Sequence, residues 1–260
     1  MNPRQLVAAL AIFVLCGASE PAVSVVYAGS LVTPIQRQVG PAFAQSCSCT
    51  FQGEGKGSVA LAHMIEGGIR NPDVFISADT KLMQRLKASS KHFITSYTIF
   101  AKARLVLGYS RKSPFANRFA AAAAGRLSLR GLLLTPGLRV GRTDPKLDPK
   151  GSRSNFALAA LGVSPARSMV FPEEDLLVRL EAGDLDAAFL YSTESVARNI
   201  PALALPAVAT KGHEVSYSIA VLEAAPNPAG AHRFERFILA GHGKELLGRA
   251  GLLYIKKTTR

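Results

Sequence analysis

The chain has 260 residues, of which 48% are hydrophobic, with 22 Gly and 15 Pro, enough for one large domain or for two lobes with substantial cores. Its 31 Lys and Arg against 18 Asp and Glu give a formal net charge of +13, a balance that suits nucleic acid, an acidic membrane surface or small anions. The basic residues are scattered, with Arg111-Lys112 and Lys256-Lys257 as short clusters, and no recognition motif accompanies them, which argues against nucleic acid as a partner.

The N-terminus reads as a secretory signal. Arg4 is the one charged side chain of the first 18 residues, and Leu6 to Gly17 runs without a polar side chain. Those twelve residues fall short of the roughly 20 that a membrane span needs. Cys16-Gly17-Ala18 places small residues at −3 and −1 of a cleavage site, so residues 1–18 are expected to be removed after Ala18, taking the charge from +13 to +12. The competing readings are a buried N-terminal helix and a lipid anchor at Cys16, the latter disfavoured by bulky Leu15. Export leaves Cys47 and Cys49 in an oxidising compartment. They are either two half-buried thiols or a disulfide of unusual geometry, and without a nearby His or further Cys they make a poor metal site.

Val23 to Tyr27 is a strand, and Leu31, Ile35, Val39 and Phe43 form the apolar stripe of the helix that follows. Pro34 suits a first turn, whereas Pro41 is expected to kink or shorten the helix. Cys47 to Phe51 reads as a second strand and Gln52 to Ser58 as a Gly-rich loop, and the helix that follows, with Val59, Leu61, Ala62 and Ile65 apolar and His63 expected to be partly buried, runs to about Gly67-Gly68. Asp73 to Ser77 is a third strand, and Asp79 is placed to cap the next helix. Alternating strand and helix implies a largely parallel sheet. Phe100 to Tyr109 reads as one strand, the alanine run 120–124 and Leu127 to Leu134 as helical packing faces, and Gly137 to Val140 as the approach to another strand. Helices follow around Phe156 to Leu161 and Leu176 to Leu180, then a buried strand over Asp186 to Tyr191, a last strand over Val215 to Leu222, and C-terminal helices around Phe234 to Leu247.

Two strand-to-helix turns carry a small residue and a serine: Ala28-Gly29-Ser30 and Gly57-Ser58. The first amides of a helix have no acceptor within it and the dipole there is positive, so an anion is the natural guest. Gly53-Glu54-Gly55-Lys56-Gly57-Ser58 is not a nucleotide-binding P-loop, because Gly57 separates Lys56 from the serine and Thr50 stands where the first Gly belongs. The segment Gly141 to Gly151 leads into a further helix around Gly151-Ser152. There Asp148 is either an N-terminal cap or a carboxylate turned to the ligand. A carboxylate beside an oxyanion repels it unless it bonds the central atom, which molybdenum and tungsten accept and sulfur and phosphorus do not. Tyr191 either donates a phenolic hydrogen bond or packs. No histidine pairs recognisably with a nucleophile, and Glu173-Glu174 and Asp184 with Asp186 read as a helix start and a turn, so no catalytic residue is assigned.

Val25-Val26-Tyr27-Ala28-Gly29-Ser30-Leu31, Gly57-Ser58, Asp73-Val74-Phe75-Ile76-Ser77-Ala78-Asp79, Thr143-Asp144-Pro145 through Asp148-Pro149-Lys150-Gly151-Ser152-Arg153, Asp186 to Tyr191, and Ala225-Pro226-Asn227-Pro228 occur in an order and spacing that resemble the molybdate/tungstate substrate-binding proteins of ABC importers. The resemblance covers nearly all of the chain beyond residue 18. It implies that Ser30 and Ser58, with Gly29 and Gly57, bind the oxyanion, that Asp148 approaches or coordinates its metal, and that Tyr191 closes the pocket. Leu190 stands where the tungstate branch has a ligand glutamate, and Lys150 and Ser152 replace its usual Cys and Tyr. A tetrahedral anion held by hydrogen bonds therefore fits better than a six-coordinate metal with two carboxylates.

The expected fold is α/β, a two-lobed periplasmic-binding-protein fold of type II with the ligand in the inter-lobe cleft. Lobe 1 is expected over residues 24–104 and 218–260 and lobe 2 over 105–217, closing about a hinge of crossing strands. The expected function is capture of molybdate or tungstate in the periplasm by a monomer without a cofactor, and delivery to membrane permease subunits. The alternatives are a carrier of sulfate or another tetrahedral oxyanion and an exported serine hydrolase.

Overall fold

The computed structural model describes residues 20–213 and 215–260. The expected signal peptide and its cleavage point lie outside the described residues. From β1 (Glu20–Ala28) the chain passes into a helical segment over residues 29–47: a 3-10 turn Gly29–Leu31, α1 (Val32–Pro34), a π segment Ile35–Val39 and α2 (Gly40–Cys47). Pro41 has no N–H to give a carbonyl one turn back, and the wider π segment just before it keeps the helix continuous. Ser48 in the left-handed region (φ 51°) ends it, and the Cys47–Cys49 disulfide spans that corner.

There follow β2 (Cys49–Lys56), α3 (Ser58–Glu66), β3 (Val74–Ser77), α4 (Thr80–Ala88), β4 (Thr98–Ala103) and β5 (Leu105–Tyr109). Next come α5 (Ala116–Ala123), α6 (Leu129–Leu133), β6 (Val140–Thr143), α7 (Pro149–Ala160), β7 (Ser168–Phe171) and α8 (Glu173–Ala182). The chain ends through β8 (Ala187–Tyr191), α9 (Ser192–Ala197), β9 (Ala202–Ala204), β10 (Val215–Val221), α10 (Pro228–Leu239), α11 (His242–Arg249) and β11 (Leu253–Thr259).

Two sheets result, in the orders β11-β4-β10-β3-β1-β2 and β7-β6-β8-β5-β9. The expected parallel pairing holds for β1 with β2 and β3, and for β6 with β7 and β8. Each sheet is nevertheless mixed. β10 and β5, the strands next to the crossings between the sheets, pair antiparallel with their neighbours. The single strand expected over Phe100 to Tyr109 is two, one in each sheet. Arg104 stands between them, its N–H held by the Ser192 hydroxyl and its carbonyl by the Ser192 amide.

The apolar stripe behaves as its spacing predicts. Leu31, Ile35, Val39 and Phe43 are buried against the face of the first sheet that carries Val25, Tyr27 and Ile76. The opposite face, with Val26 and Phe75, is covered by Leu61, Ile65, Leu82 and Leu86 of α3 and α4. His63 is exposed on the outer side of α3. No helix among the described residues is long and apolar enough to cross a membrane.

Candidate functional site

Strand β1 ends at Ala28, and Ser30 lies buried in the first helical turn after it. Its hydroxyl shares a 2.7 Å hydrogen bond with the hydroxyl of Tyr217 on β10, which is 3.4 Å from that of Thr193 in α9. Ser58 opens α3 after Gly57, is buried, and accepts the amide of Ala78 at 3.1 Å. Asp148 caps α7: its Oδ1 accepts the Lys150 amide at 2.8 Å, so the helix starts at Pro149, two residues before the expected Gly151. The capping role is thus present.

The other oxygen, Oδ2, is buried without a donor, as is Oε2 of Glu173. The two carboxyls face each other. Burial first, and the Asp148 carboxylate second, push the Glu173 carboxyl well above the usual range, against the pull of Lys150.

Tyr191 ends β8, fully buried, and its hydroxyl accepts from Arg153 Nη1 at 3.2 Å. Its ring lies 6.5 Å, edge-on, from that of Tyr217. Burial holds the Tyr191 phenol well above its ordinary pKa, against the opposing Arg153 charge, so it stays a neutral donor. Arg153 reaches across to Asp79, 4.0 Å away, the residue that caps α4 in the other sheet's layer.

The two sheets meet closely at these turns. The Ala60 amide donates to the Leu147 carbonyl at 3.2 Å. A Cβ on Gly57 would lie 2.5 Å from that carbonyl oxygen, and one on Gly29 would lie 2.3 Å from Glu173 Cγ. Both positions therefore need glycine for contact between the lobes, whatever their backbone amides hold. Ser30, Ser58, Asp148, Tyr191, Gly29 and Gly57, far apart in sequence, sit at one seam.

Sequence reasoning missed the charged set behind them. Lys150 Nζ, wholly buried, donates to Glu173 Oε1 at 2.8 Å and to Glu194 Oε1 at 2.7 Å. Burial alone would lower its pKa, but Glu173, Glu194 and Asp148 outweigh that and hold it well above the ordinary lysine value. Glu194 Oε2 in turn accepts the Tyr191 amide at 2.7 Å, a capping box at the start of α9. Glu173 is the helix start expected from the sequence, and it is also an ion-pair partner. The departure at position 150 was visible; that the side chain turns inward was not. A cavity of about 190 Å³ bounded by Ser30, Thr33, Glu173, Glu194 and Arg198 opens beside this set.

The serine-hydrolase alternative finds no support. Ser30 pairs with Tyr217, Ser58 with a backbone amide, and His63 and His92 are exposed. His213 stacks on Phe156, and His232 and His242 contact glutamates on their own helices. Among the described residues no cluster of three or more His, Cys, Asp or Glu is arranged to hold a metal ion.

Known proteins place this architecture. The chain is 34% identical over 201 residues to a putative ABC transporter molybdenum-binding protein of Haloferax volcanii; the match takes in 74% of this chain and 62% of that protein, so the chain spans less than two thirds of that relative's length. It is 24% identical over 283 residues to the molybdate/tungstate-binding protein WtpA of Pyrococcus abyssi, covering 85% of this chain and 80% of the other. In fold it is similar to the periplasmic molybdate-binding protein of Azotobacter vinelandii, with a TM-score of 0.73 at 20% identity over 90% of this chain and 99% of that one. These bear out the resemblance carried by the motifs and the two-lobed α/β fold. The family model described as bacterial extracellular solute-binding protein matches residues 23–253, through both sheets, and the chain belongs to that family.

Proposed function

We propose that the protein captures molybdate or tungstate between its lobes in the periplasm and delivers it, as a monomer, to the permease subunits of an ABC importer. Residues 24–104 with 218–260 form one lobe in this reading and residues 105–217 the other. The observation that carries it is the convergence of three helix N-termini, led by Ser30, Ser58 and Asp148, on one buried seam. Helix-end amides and hydroxyls suit a tetrahedral anion, and Tyr191 and Arg153 add donors from the second lobe. Asp148, with one oxygen committed to its cap and the other facing Glu173, acts mainly to shape the site. The protein works by binding and closure, with no chemical step and no cofactor. Relatives named for binding molybdenum and molybdate/tungstate support the choice of these anions over sulfate.

Calorimetric titration with molybdate, tungstate and sulfate, repeated with Asp148→Ala, tests this. Tight binding of the first two with weak sulfate binding is expected. Preference for sulfate would instead make it a carrier of smaller oxyanions.

A further inference from the structure

We infer that Lys150 sets the charge discrimination of the site, raising its affinity for a dianion more than for a monoanion of the same shape. This rests on the oxyanion reading above. Lys150 is the second residue of α7, two positions past the Asp148 cap, and its ammonium has no exposure to solvent. It lies 5.6 Å from the centre of the Tyr191 ring. Through Glu194 it is tied to the amide of Tyr191, and it bonds directly to Glu173, whose side chain packs on Gly29, next to Ser30.

The charges gathered at the seam are few. Helix α7 contributes Asp148, Lys150 and Arg153, α8 contributes Glu173, α9 contributes Glu194, and the opposite lobe contributes Asp79. Four carboxyl groups face two cations. The two cations offset part of that negative charge, so losing either one weakens anion binding, and weakens that of a dianion about twice as much as that of a monoanion. Burying an ammonium is costly, and an apolar side chain of the same volume fills such space as well or better. What lysine supplies there, and an apolar residue does not, is positive charge behind the hydroxyls of Tyr191 and Tyr217 at low dielectric.

The Coulomb part of an affinity change scales with ligand charge, so losing one cation costs a dianion about twice the logarithm that it costs a monoanion. A loss of packing or of Tyr191 positioning costs both alike. Tungstate and perrhenate are tetrahedral oxyanions of nearly the same size carrying two charges and one, so the ratio of their affinities isolates charge from shape. The experiment measures both dissociation constants by calorimetry for the wild type, Lys150→Met, Glu194→Gln and the double variant, with thermal melting as a check on folding.

Lys150→Met is expected to lower the tungstate-to-perrhenate preference about tenfold or more. Glu194→Gln should raise it, and the double variant, which restores the site's net charge and keeps an acceptor for the Tyr191 amide, should return near the wild-type ratio. Should Lys150→Met fail to fold, the step from Glu194→Gln to the double variant reads the same charge. Equal weakening of both anions, with the ratio unchanged along either step, overturns the inference and leaves Lys150 a structural residue. A wild type that binds neither anion overturns the oxyanion reading itself, and the inference falls with it.

Discussion

Ser30 and Asp186 show two kinds of polar burial. Ser30 keeps its hydroxyl at the seam, where Tyr217 is its partner. In the proposed site Ser30→Ala would remove a ligand donor while Tyr217 can still turn to Thr193. Oxyanion affinity should fall by about 1–2 kcal/mol with little change in melting temperature, read by paired titration and thermal scans. Asp186 is buried away from the seam and accepts Arg139 N at 2.8 Å, Arg139 Nε and Nη2 at 3.0 Å and the Ser113 hydroxyl at 3.0 Å. Burial alone would raise its pKa, but the Arg139 and Ser113 bonds outweigh that and hold the carboxylate below the usual range. A depressed carboxylate stabilises the fold fully above its unfolded pKa and loses that contribution as pH falls through its folded value. Asp186→Asn should therefore cost about 2–3 kcal/mol near neutral pH, with the gap in melting temperature closing as pH falls below about 3.9. At this scale the sequence was legible where a residue's role is local. Asp79 and Asp148 cap the helices their positions suggest. It was not legible where the role depends on distant partners, as for Lys150 with Glu173 and Glu194.

Among elements, periodicity carried the long helices and the central strands. The Leu31-Ile35-Val39-Phe43 stripe is buried as its spacing requires, and Val74 to Ser77 is a strand buried on both faces. The Gly-rich run was misread. Gln52 to Lys56, taken for loop, is the second half of β2, because parallel pairing with Ser24 to Ala28 supplies the backbone hydrogen bonds that glycine's low strand propensity does not. β11, β7 and β9 were missed; they are short or at sheet edges, where pairing rather than hydrophobic pattern defines the strand. At the start of α7, a Cβ on Gly151 would meet the Thr143 carbonyl oxygen at 2.4 Å and Pro145 N at 2.6 Å. Backbone cannot swing aside as a side chain does. Gly151→Ala should therefore displace the helix start that carries Asp148, Lys150 and Arg153, costing about 1–3 kcal/mol of stability and weakening ligand binding together, seen in melting and titration of the same sample.

For the whole molecule, two sheets meet through close glycine contacts at the seam, and one apolar cluster runs from Val25, Tyr27 and Ile76 of the first sheet to Leu107, Phe189 and Tyr191 of the second. Gly57 sits against the Leu147 carbonyl of the opposite lobe, and its φ of −53° is open to alanine. Gly57→Ala should leave the melting temperature of the unliganded protein nearly unchanged. It should weaken the anion roughly tenfold or more by disfavouring the closed state, and reduce the ligand-induced contraction seen by solution scattering. The two-lobed plan itself was legible through the family resemblance that the order and spacing of the motifs carry, not from hydrophobic periodicity. The mixed pairing within each sheet was not, since it follows from where the chain crosses between lobes, at Arg104 and again before Val215. The account as a whole stands on what the seam holds. The most direct measurement is a calorimetric titration of the purified protein with molybdate, tungstate and sulfate under one set of conditions. Saturable one-to-one binding of molybdate or tungstate, with sulfate weaker by an order of magnitude or more, is the predicted result. Absence of binding by all three, confirmed by unchanged melting temperature at high anion concentration, would contradict it.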